Sequence, residues 1–525
     1  MVTVSSIEAK KSGNGSGAAH DADALIRSYA PASGELIGEA PVLGKEQVRA
    51  AVERAHVAQK AWGVLPVAER AERILRFRDA MVEHAEDIVD LLSRETGKPR
   101  PEALSHELFT LADIVTWYAK HAPGILATRE VPLHLLKHRK SEIHYTPRGV
   151  IGVISPWNYP LVIPFGDAVA ALISGSAVVI KPSEVTPMIA LEMKKVWDGS
   201  GLPEDLLSVV TGYAETGSAL IDAGVQKIVF TGGVATGRRV AAACGERLIP
   251  CVMELGGKAP CIVTDDADLE RAAQAISFAG FTNSGQVCIS VERVYAHRDV
   301  YDRLVDRVTE LTGKLRQGDP SKQTVDVGAI ILPRQIEIAE KHIADAVAKG
   351  AKLRTGGKRP ALDGQFFEPT VLADCSDDMT VMRQEIFGPI VPFMKVESDE
   401  QAINLANASE LGLNAYVFSG NRDRARRIAE RVQAGSVLVN DVLTNYACPE
   451  TPFGGIKNSG FGRVHGEDAL RDMCEVRHLS FDRVRPPSRD PIWFPYSNKA
   501  YQWTLKGVKA LFGGRGVVAR LGKLL

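Results

Sequence analysis

Between Val150 and Met253, short apolar segments alternate with helical ones, and this alternation restricts the fold more than any other feature of the chain. Short apolar runs bounded by turn residues are typical of buried strands, and strands separated by helices form βαβ units of a parallel sheet. The pattern predicts strands at Val150–Ile154, Ala177–Ile180, Leu207–Val210, Lys227–Phe230 and Pro250–Met253. It predicts helices near Pro164–Ile173, Pro187–Trp197, Glu215–Ala223 and Val234–Cys244.

The remaining chain divides into blocks around this sheet. From Lys45 to about Ala122, apolar residues recur every three or four positions, which predicts helices. Leu133 to Arg148 is polar and mixed, which predicts an extended segment, and a second alternating block runs from Ala267 to about Asn440. We therefore expect an α/β protein with two alternating blocks.

The composition is that of a globular protein with an ordinary charge balance. Its 525 residues, 45% of them hydrophobic, suffice for more than one core, and the net charge of -1 gives no global attraction to nucleic acid. The seven cysteines include no C-x-x-C pair, so we expect neither a disulfide framework nor a metal site, and a reducing, cytoplasmic location. Residues 1–21 lack the apolar core of a signal peptide and are expected to form a flexible leader.

Two of the predicted strands end in residues suited to a nucleotide. Lys181-Pro182-Ser183-Glu184 offers a lysine and a carboxylate that could reach ribose hydroxyls. Phe230-Thr231-Gly232-Gly233 opens a helix, whose positive end attracts a pyrophosphate where glycines allow a close approach. The G-x-G-x-x-G fingerprint is absent, so two ordinary strand-to-helix turns are the alternative interpretation of these segments.

Two further segments carry the groups needed for covalent catalysis. Met253-Glu254-Leu255-Gly256-Gly257-Lys258 places a carboxylate beside a glycine pair, and Gly285-Gln286-Val287-Cys288 places a cysteine after a turn. A thiol and a nearby carboxylate are the minimal set for a nucleophile with a general base. A buried structural cysteine and a solvated glutamate are the alternative for either residue taken alone.

From about Ile26 to Asp482, the chain resembles the NAD(P)-dependent aldehyde dehydrogenase superfamily. Seven strings carry the resemblance in the order of the family: Pro156-Trp157-Asn158-Tyr159-Pro160, Lys181-Pro182-Ser183-Glu184, Phe230-Thr231-Gly232-Gly233, Glu254-Leu255-Gly256-Gly257-Lys258, Gly285-Gln286-Val287-Cys288, Glu385-Ile386-Phe387-Gly388-Pro389 and Pro452-Phe453-Gly454-Gly455.

The resemblance implies oxidation of an aldehyde to the carboxylic acid through a thiohemiacetal and a thioester on Cys288. It implies that the Asn158 amide and the Cys288 backbone N–H stabilise the oxyanion by hydrogen bonds. It also implies that Glu254 acts as the general base in deacylation. Glu385 and Phe387 resemble the residues that hold the nicotinamide ribose and ring. The other expected cofactor-binding residues are Pro156, Trp157, Lys181, Ser183, Glu184, Gly232, Gly233 and Leu255. Lys258 is expected to be a structural ion-pair partner instead.

The same resemblance implies a division of the fold. A parallel-sheet dinucleotide-binding domain is expected at 22–126 and 149–254, and an α/β catalytic domain at 255–469. Segments 127–148 and 470–485 are expected to form a small sheet that joins subunits of a homodimer or homotetramer. Residues 486–525 remain as a C-terminal extension.

The expected cofactor is NAD, with NADP as the alternative. A carboxylate at Glu184 accepts from a ribose 2′-OH and repels a 2′-phosphate, whereas Lys181 would attract that phosphate. Gly232 departs from the family, where serine commonly stands, and is expected to loosen one phosphate contact.

The expected substrate is an uncharged aliphatic or aromatic aldehyde. By resemblance, Tyr159, Val162, Gly166, Val287 and Ile289 line the tunnel, and none of them could bind a carboxylate. Succinic semialdehyde is the alternative, with a polar anchor from Thr444-Asn445-Tyr446.

The C-terminal extension is basic and aromatic. The sequence has no acidic residue after Asp490, yet it contains Lys499, Lys506, Lys509, Arg515, Arg520 and Lys523. Trp493, Phe494, Tyr501 and Trp503 are expected to precede a helix with Leu505, Val508, Leu511 and Phe512 on one side, ended by Gly513-Gly514 and Gly516. Such a segment favours peripheral membrane contact, and packing against a neighbouring subunit or over the tunnel is the alternative.

Other enzyme classes fit the sequence less well. A CoA-acylating aldehyde dehydrogenase would need no water-activating base, which Glu254 would supply. A cysteine-dependent hydrolase or esterase would need a histidine partner, and the nearest histidine in sequence to Cys288 is His297. A purely structural protein would have no use for Cys288, Glu254 and Asn158 together.

Overall fold

The computed structural model describes residues 24–490 and 492–513. Its strands are β1 (Leu25–Tyr29), β2 (Leu36–Pro41), β3 (Arg129–Glu130), β4 (Arg139–Pro147), β5 (Val150–Ile154), β6 (Ala177–Lys181), β7 (Leu207–Val209), β8 (Lys227–Thr231), β9 (Cys251–Glu254), β10 (Ala259–Val263), β11 (Val291–His297), β12 (Lys352–Thr355), β13 (Thr370–Ala373), β14 (Ile390–Val396), β15 (Leu411–Gly412), β16 (Asn414–Phe418), β17 (Ser436–Val439), β18 (Ile456–Lys457), β19 (Gly460–Phe461) and β20 (Cys474–Asp482).

The α-helices are α1 (Lys45–Gly63), α2 (Val67–Glu83), α3 (Ala85–Thr96), α4 (Arg100–Glu102), α5 (Thr110–Ile125), α6 (Val162–Ser174), α7 (Pro187–Gly199), α8 (Ala214–Asp222), α9 (Val234–Glu246), α10 (Leu269–Phe281), α11 (Arg298–Thr312), α12 (Pro333–Ala348), α13 (Thr380–Arg383), α14 (Asp399–Asn407), α15 (Arg422–Ala429), α16 (Gly466–Asp472) and α17 (Asn498–Phe512). A π-helix occupies Ala103–Phe109, and short 3-10 helices occupy Glu204–Leu206, Thr282–Gly285 and Thr444–Ala447.

The first large sheet has the strand order β19-β9-β8-β5-β6-β7. Strands β5 to β9 within it are parallel and are joined by α6 to α9, which confirms the predicted α/β fold with end shifts of one or two residues. Their carboxyl ends bring Lys181, Thr231 and Glu254 to one edge of the sheet. Ligands bind at this edge in open α/β sheets.

The second large sheet has the order β12-β13-β14-β11-β10-β16-β17. Its pairs are parallel except that between β12 and β13. The segment that carries Cys288 lies between α10 and β11, so the central strands of this sheet fix its position.

One strand departs from the expected division of the chain. Residues 460–461 fall inside the range expected for the catalytic domain, yet they form β19 and pair antiparallel with β9 of the first sheet. Gly460 has φ 117°, and an added Cβ would collide with the carbonyl oxygen of Met253. The close approach of the returning chain therefore depends on glycine at this position.

A separate three-stranded sheet has the order β20-β4-β3. Strand β4 pairs antiparallel with β20 along its whole length, with Tyr145 opposite Val476 and His144 opposite Arg477. The segments at 127–148 and 470–485 thus form one small sheet within this chain, as expected. Val476 and Phe481 on β20 remain exposed.

The C-terminal extension contains helix α17, which begins earlier than expected. The Ser497 hydroxyl accepts a hydrogen bond from Ala500 N at 3.1 Å and caps the helix, so Tyr501 and Trp503 lie within α17 instead of before it. The helix ends at Phe512, before Gly513. Arg515, Gly516, Arg520, Lys523 and the leader at residues 1–21 lie outside the described residues. Among the helices of the described ranges, none has the length and apolar character needed to span a membrane.

Candidate active site

Cys288 follows a turn whose backbone is held in an unfavourable conformation. Asn283 and Ser284 have φ values of 47° and 55°, in the left-handed region that non-glycine residues seldom adopt. Gly285 has φ 72°, and an added Cβ would meet the carbonyl oxygen of Gly388. Such strain persists only where neighbouring contacts determine the conformation, which is common at functional sites.

Buried hydrogen bonds supply those contacts. The Glu102 carboxylate accepts from Asn283 N and from the Thr282 hydroxyl, both at 2.8 Å. The Ser284 hydroxyl donates to Gly328 O at 2.9 Å. The turn before Cys288 is therefore bonded both to the helical N-terminal part of the chain and to the loop before α12.

Glu254 ends β9, and the glycine pair after it lets other groups of the site come close. An added Cβ at Gly256 would lie 2.5 Å from a carboxylate oxygen of Glu385, and one at Gly257 would meet the carbonyl oxygen of Cys288. Gly257 N also donates to Glu385 Oε1 at 2.9 Å. Side chains larger than hydrogen at 256 and 257 would separate these groups.

Asn158 lies beside Cys288 in the same cavity, and a polar network fixes its position. Its side-chain amide donates to Gln286 O at 3.0 Å, which leaves the second N–H of this amide for another acceptor. Its carbonyl accepts from Lys98 Nζ at 2.9 Å and from Asn283 Nδ2 at 3.0 Å. Lys98 is itself fully buried and paired with Glu107. The amide is thus positioned before any charge develops on a substrate.

Burial favours the neutral forms of Cys288, Glu254 and Glu385. Desolvation raises the pKa of the Cys288 thiol to about 12, and the nearby Glu254 and Glu385 carboxylates add to this effect. Burial, and secondarily Asp167, raises the pKa of Glu254 well above its usual range. Burial raises the pKa of Glu385 to about 8. Deprotonation of the thiol and of Glu254 is therefore favoured at alkaline pH.

Lys258 forms the structural ion pair expected from the sequence. Its ammonium group lies 2.9 Å from Glu292 Oε2, and both side chains are buried. The same Glu292 carboxylate accepts from the backbone N–H groups of Ile386 and Phe387. The pair therefore supports the segment that carries Glu385 and Phe387.

Two adjoining cavities form a cleft at the carboxyl edge of the first sheet, and all ten residues expected to bind the cofactor line it. The outer cavity, of about 410 Å³, is lined by Lys181, Ser183 and Glu184. The inner cavity, of about 220 Å³, reaches Leu255, Glu385, Phe387 and Cys288. Both cavities are bordered by Pro156, Trp157, Gly232 and Gly233. Sequence reasoning missed Gln335 and Arg239, which also line the cleft and come from distant segments.

The cleft has the features that a dinucleotide requires. Gly233 precedes α9, and the space around it is open, so a phosphate could approach the positive end of the helix. At Gly232 an added Cβ would lie 2.7 Å from the Phe230 ring, which explains glycine at this position. The Trp157 and Phe387 rings pack edge to face with centroids 5.3 Å apart at the inner end. The residues present therefore fit NAD(P).

A separate apolar tunnel of about 110 Å³ leads to Cys288. Tyr159, Val287 and Ile289 line it, as expected. Val162 and Gly166 do not, because α6 begins at Val162 and turns these two positions into the core, so that Ile163 faces the tunnel instead. Ser105, His106, Thr110, Leu443 and Ala447 also line the tunnel and were not anticipated. Tyr446 contributes from the anticipated loop, whereas the Asn445 amide donates to Asn414 Oδ1.

The tunnel brings one histidine into the same cavity as Cys288. Burial lowers the pKa of His106 to about 4, and its ring packs edge to face on Phe278. Within the described residues, no hydrogen bond joins His106 to the thiol of Cys288. His106 and Cys288 therefore do not form the hydrogen-bonded pair by which a histidine activates a cysteine thiol.

Comparison with known proteins gives three concordant results. The model of the aldehyde dehydrogenase family matches residues 18–479. A 4,4'-diapolycopene aldehyde oxidase of Methylomonas sp is 37% identical over 502 residues, which cover 95% of this chain and 93% of that protein. A protein of Mycolicibacterium smegmatis, named as a succinate-semialdehyde dehydrogenase using NADP(+), is 39% identical over 454 residues, 86% of this chain and 88% of that protein. The NAD+ complex of an aldehyde dehydrogenase from Bacillus cereus has a TM-score of 0.84 at 32% identity, covering 88% of this chain and 94% of that chain.

Proposed function

The chain belongs to the aldehyde dehydrogenase family, and from this premise we propose that Cys288, Glu254 and Asn158 carry out its reaction. The protein oxidises an aldehyde to the carboxylic acid with NAD or NADP. The observation that carries the proposal is that Cys288 borders both the apolar tunnel and the cofactor cleft, and that the other described residue lining both, Ile163, has no reactive group.

The proposed chemistry follows from the positions of the three groups. The Cys288 thiolate attacks the aldehyde carbon, and the resulting oxyanion accepts from the Asn158 amide and the Cys288 backbone N–H. When bound, NAD(P)+ supplies the two-electron acceptor that converts the thiohemiacetal to the thioester. Glu254 then takes a proton from water, whose oxygen adds to the thioester carbon, and the C–S bond breaks to release the acid.

We propose NAD as the preferred cofactor because of the carboxylate at Glu184. Lys181 Nζ lies 3.2 Å from Glu184 Oε2, so its charge is partly neutralised within the protein, and burial lowers the pKa of this lysine. The Glu184 side chain is 42% exposed and can accept from a ribose hydroxyl. A 2′-phosphate would meet this carboxylate and is disfavoured.

We propose an uncharged apolar aldehyde as the substrate. Among the described residues that line the tunnel, there is no lysine or arginine to neutralise a substrate carboxylate. The helical segment beside the tunnel adds Leu104 and Phe109, and α10 adds Phe278, all of them large apolar side chains exposed to solvent. A chain longer than the tunnel would therefore continue onto an apolar surface. The similarity to a diapolycopene aldehyde oxidase is in keeping with such a substrate, whereas the similarity to a succinate-semialdehyde dehydrogenase favours the alternative.

A panel of aldehydes, each assayed with NAD and with NADP, tests this assignment. From butanal to octanal, kcat/KM should rise by up to about fourfold per CH2, the equivalent of about 0.8 kcal/mol. Succinic semialdehyde should have a kcat/KM at least about 100-fold below that of butanal, because an unpaired carboxylate would be buried in the tunnel. A preference for succinic semialdehyde would reject the apolar substrate. Equal kcat/KM for NAD and NADP would reject the role given to Glu184.

We propose that the C-terminal extension attaches the enzyme to anionic membranes. Tyr501, Leu505, Val508 and Phe512 share one face of α17, and none of the helix residues is buried. Lys499 and Lys506 lie on the opposite side, and Lys509 lies at the edge between the two faces. An amphipathic helix with basic residues is suited to the surface of an anionic bilayer. The alignment with the Methylomonas protein leaves out only about a twentieth of this chain. This is less than the leader and the extension contain together, so the alignment includes part of at least one of them.

Truncation after Pro491 should abolish co-sedimentation with phosphatidylserine liposomes at low salt and leave butanal turnover unchanged. Each basic residue near the surface contributes about 1 kcal/mol, an attraction that salt weakens. The matched control is full-length protein with Lys499, Lys506 and Lys509 changed to glutamine, which should bind at least about 10-fold more weakly. Failure of the intact protein to co-sediment would reject membrane attachment and favour packing of the extension on protein.

We propose that β20 and β4 also join subunits of a homodimer or homotetramer. In the three-stranded sheet, β20 is an edge strand with exposed Val476 and Phe481. An apolar edge strand is a template for pairing with another chain.

A further inference from the structure

A second buried carboxyl group shares a small cavity with Glu254. The cavity is lined by Asp167, Glu254, Cys288, Tyr446 and Val464, and its volume of about 20 Å³ is close to that needed for one water molecule. Asp167 comes from α6, whose residues are all buried and otherwise carry no charge. A carboxyl group in such a helix lowers stability unless it interacts with another polar group.

The neighbouring side chains leave both carboxyl groups short of partners. Among the described residues, neither oxygen of Glu254 has a hydrogen-bond partner. Lys227 is the cation near Asp167, but it is paired with Asp472 at 2.6 Å. The Arg463 guanidinium, which faces Glu254, donates to backbone carbonyls instead. The two carboxyl groups therefore lie in one apolar cavity, and the two nearby cations are bonded to other groups.

The groups around the pair reinforce its neutral forms. Burial raises the pKa of Asp167 to about 8, which Lys227 opposes, and burial followed by Asp167 raises the pKa of Glu254. Tyr118 and Tyr446 also lie near Asp167, and burial keeps both phenols neutral by raising their pKa values. Two carboxyl groups that interact in this way titrate as a pair, in which the first charge can occupy either member.

We propose that Asp167 is a positioning residue that shares one proton with Glu254 through a single water in this cavity. When Asp167 carries the proton, it donates a hydrogen bond to this water, which in turn donates to the Glu254 carboxylate and supports that group as a base. When Asp167 carries the charge, Glu254 stays protonated and cannot accept from water. The inference rests on the proposed role of Glu254 in deacylation.

The bond changes of deacylation do not include Asp167. One water proton goes to Glu254 and the other stays with the new acid, the water oxygen bonds to the thioester carbon, and the sulfur of Cys288 leaves as thiolate. Asp167 changes only the fraction of enzyme in which Glu254 is ionised. Its effect should therefore appear in the pH dependence of deacylation and leave thioester formation intact.

Two substitutions at position 167 should move this pH dependence by different amounts. Asp167→Asn keeps an N–H donor and removes the competing charge. The acidic limb of the pH profile, in which the deacylation rate rises with pH, should therefore move to a pH about one unit lower. Asp167→Leu removes the competing charge and the donor together, so its limb should move down by less than that of Asp167→Asn. The measurement is the rate after the NADH burst between pH 6 and 10. Asp113→Asn, an exposed carboxylate on α5, is the matched control and should follow the unmodified enzyme.

An unchanged limb in Asp167→Asn, or an equal shift in the two variants, would overturn the inference. Asp167→Asn decides alone if the leucine variant does not fold, because asparagine preserves the shape of the side chain. Glu254→Gln, assayed in parallel, separates the two proposals: normal turnover after its burst would reject the base role itself. A stalled Glu254→Gln with an unshifted Asp167→Asn would reject only the sharing of a proton.

Discussion

Cys288→Ala is expected to abolish aldehyde oxidation and ester hydrolysis together, because both would require a covalent bond to this sulfur. Removal of the nucleophile should lower kcat by more than about 10⁴-fold, as in other covalent enzymes. The loss should not come from misfolding, since Cys288 lies on a turn whose anchors are the side chains of Glu102 and Ser284, not its own thiol. NADH formation and nitrophenyl ester hydrolysis measure the two activities.

Cys251→Ala is the matched control for this experiment. Cys251 is also free and partly buried, but it stands at the start of β9, away from the tunnel and the cleft. Its replacement should leave both activities within about twofold, as expected of substitutions outside the site. Oxidation that persists in Cys288→Ala would exclude this thiol as the nucleophile. Persistence of ester hydrolysis alone would point to a separate hydrolytic group, for which His106 is the nearest candidate in the tunnel.

The sequence predicted the first sheet well because its signals are local. The strands from β5 to β9 are short and largely apolar, and two of them end in residues that can bind a ligand or act in catalysis, Lys181 and Glu254. Parallel strands bring their carboxyl ends to one edge, so residues distant in sequence could be placed together without a structure. Strand β19 was not predictable, because its two residues join the sheet through a close approach that Gly460 permits.

The tunnel was predicted less well because its walls come from separate segments. The periodicity of a helix shows which residues share a face only when the first residue of the helix is known. Val162 was therefore expected in the tunnel wall, where the structure has Ile163 instead. His106 belongs to a π-helix, whose turn spacing differs from the repeat assumed in reading the sequence. Lys98 could not be connected with Asn158 across sixty positions, although it donates to the Asn158 carbonyl. Contacts between residues so far apart in the chain depend on tertiary packing, and they are difficult to identify from a single sequence.

Glu254→Gln should leave the first turnover intact and stop the reaction at the thioester. The expected time course is a burst of about one NADH per active site, followed by a steady rate lowered by 10²- to 10⁴-fold, the usual contribution of a general base. Glutamine should fit, because an added Cβ at Gly454 would lie only 2.7 Å from Glu254 Oε1 and glycine leaves that space open. Rapid mixing with excess NAD, followed by absorbance, separates the burst from the later rate.

The pH dependence of the stalled variant distinguishes its cause. Since the pKa of Glu254 lies well above its usual range, turnover of the unmodified enzyme should rise with pH as this carboxyl ionises. Glu254→Gln should lose that ionisation and recover only where hydroxide itself attacks the thioester. Glu246→Gln, an exposed carboxylate at the end of α9, makes the same charge change outside the site and should retain the normal rate. Loss of the burst in Glu254→Gln would mean that this glutamate acts before the thioester forms, most directly as the base that deprotonates Cys288, whose own pKa is raised to about 12.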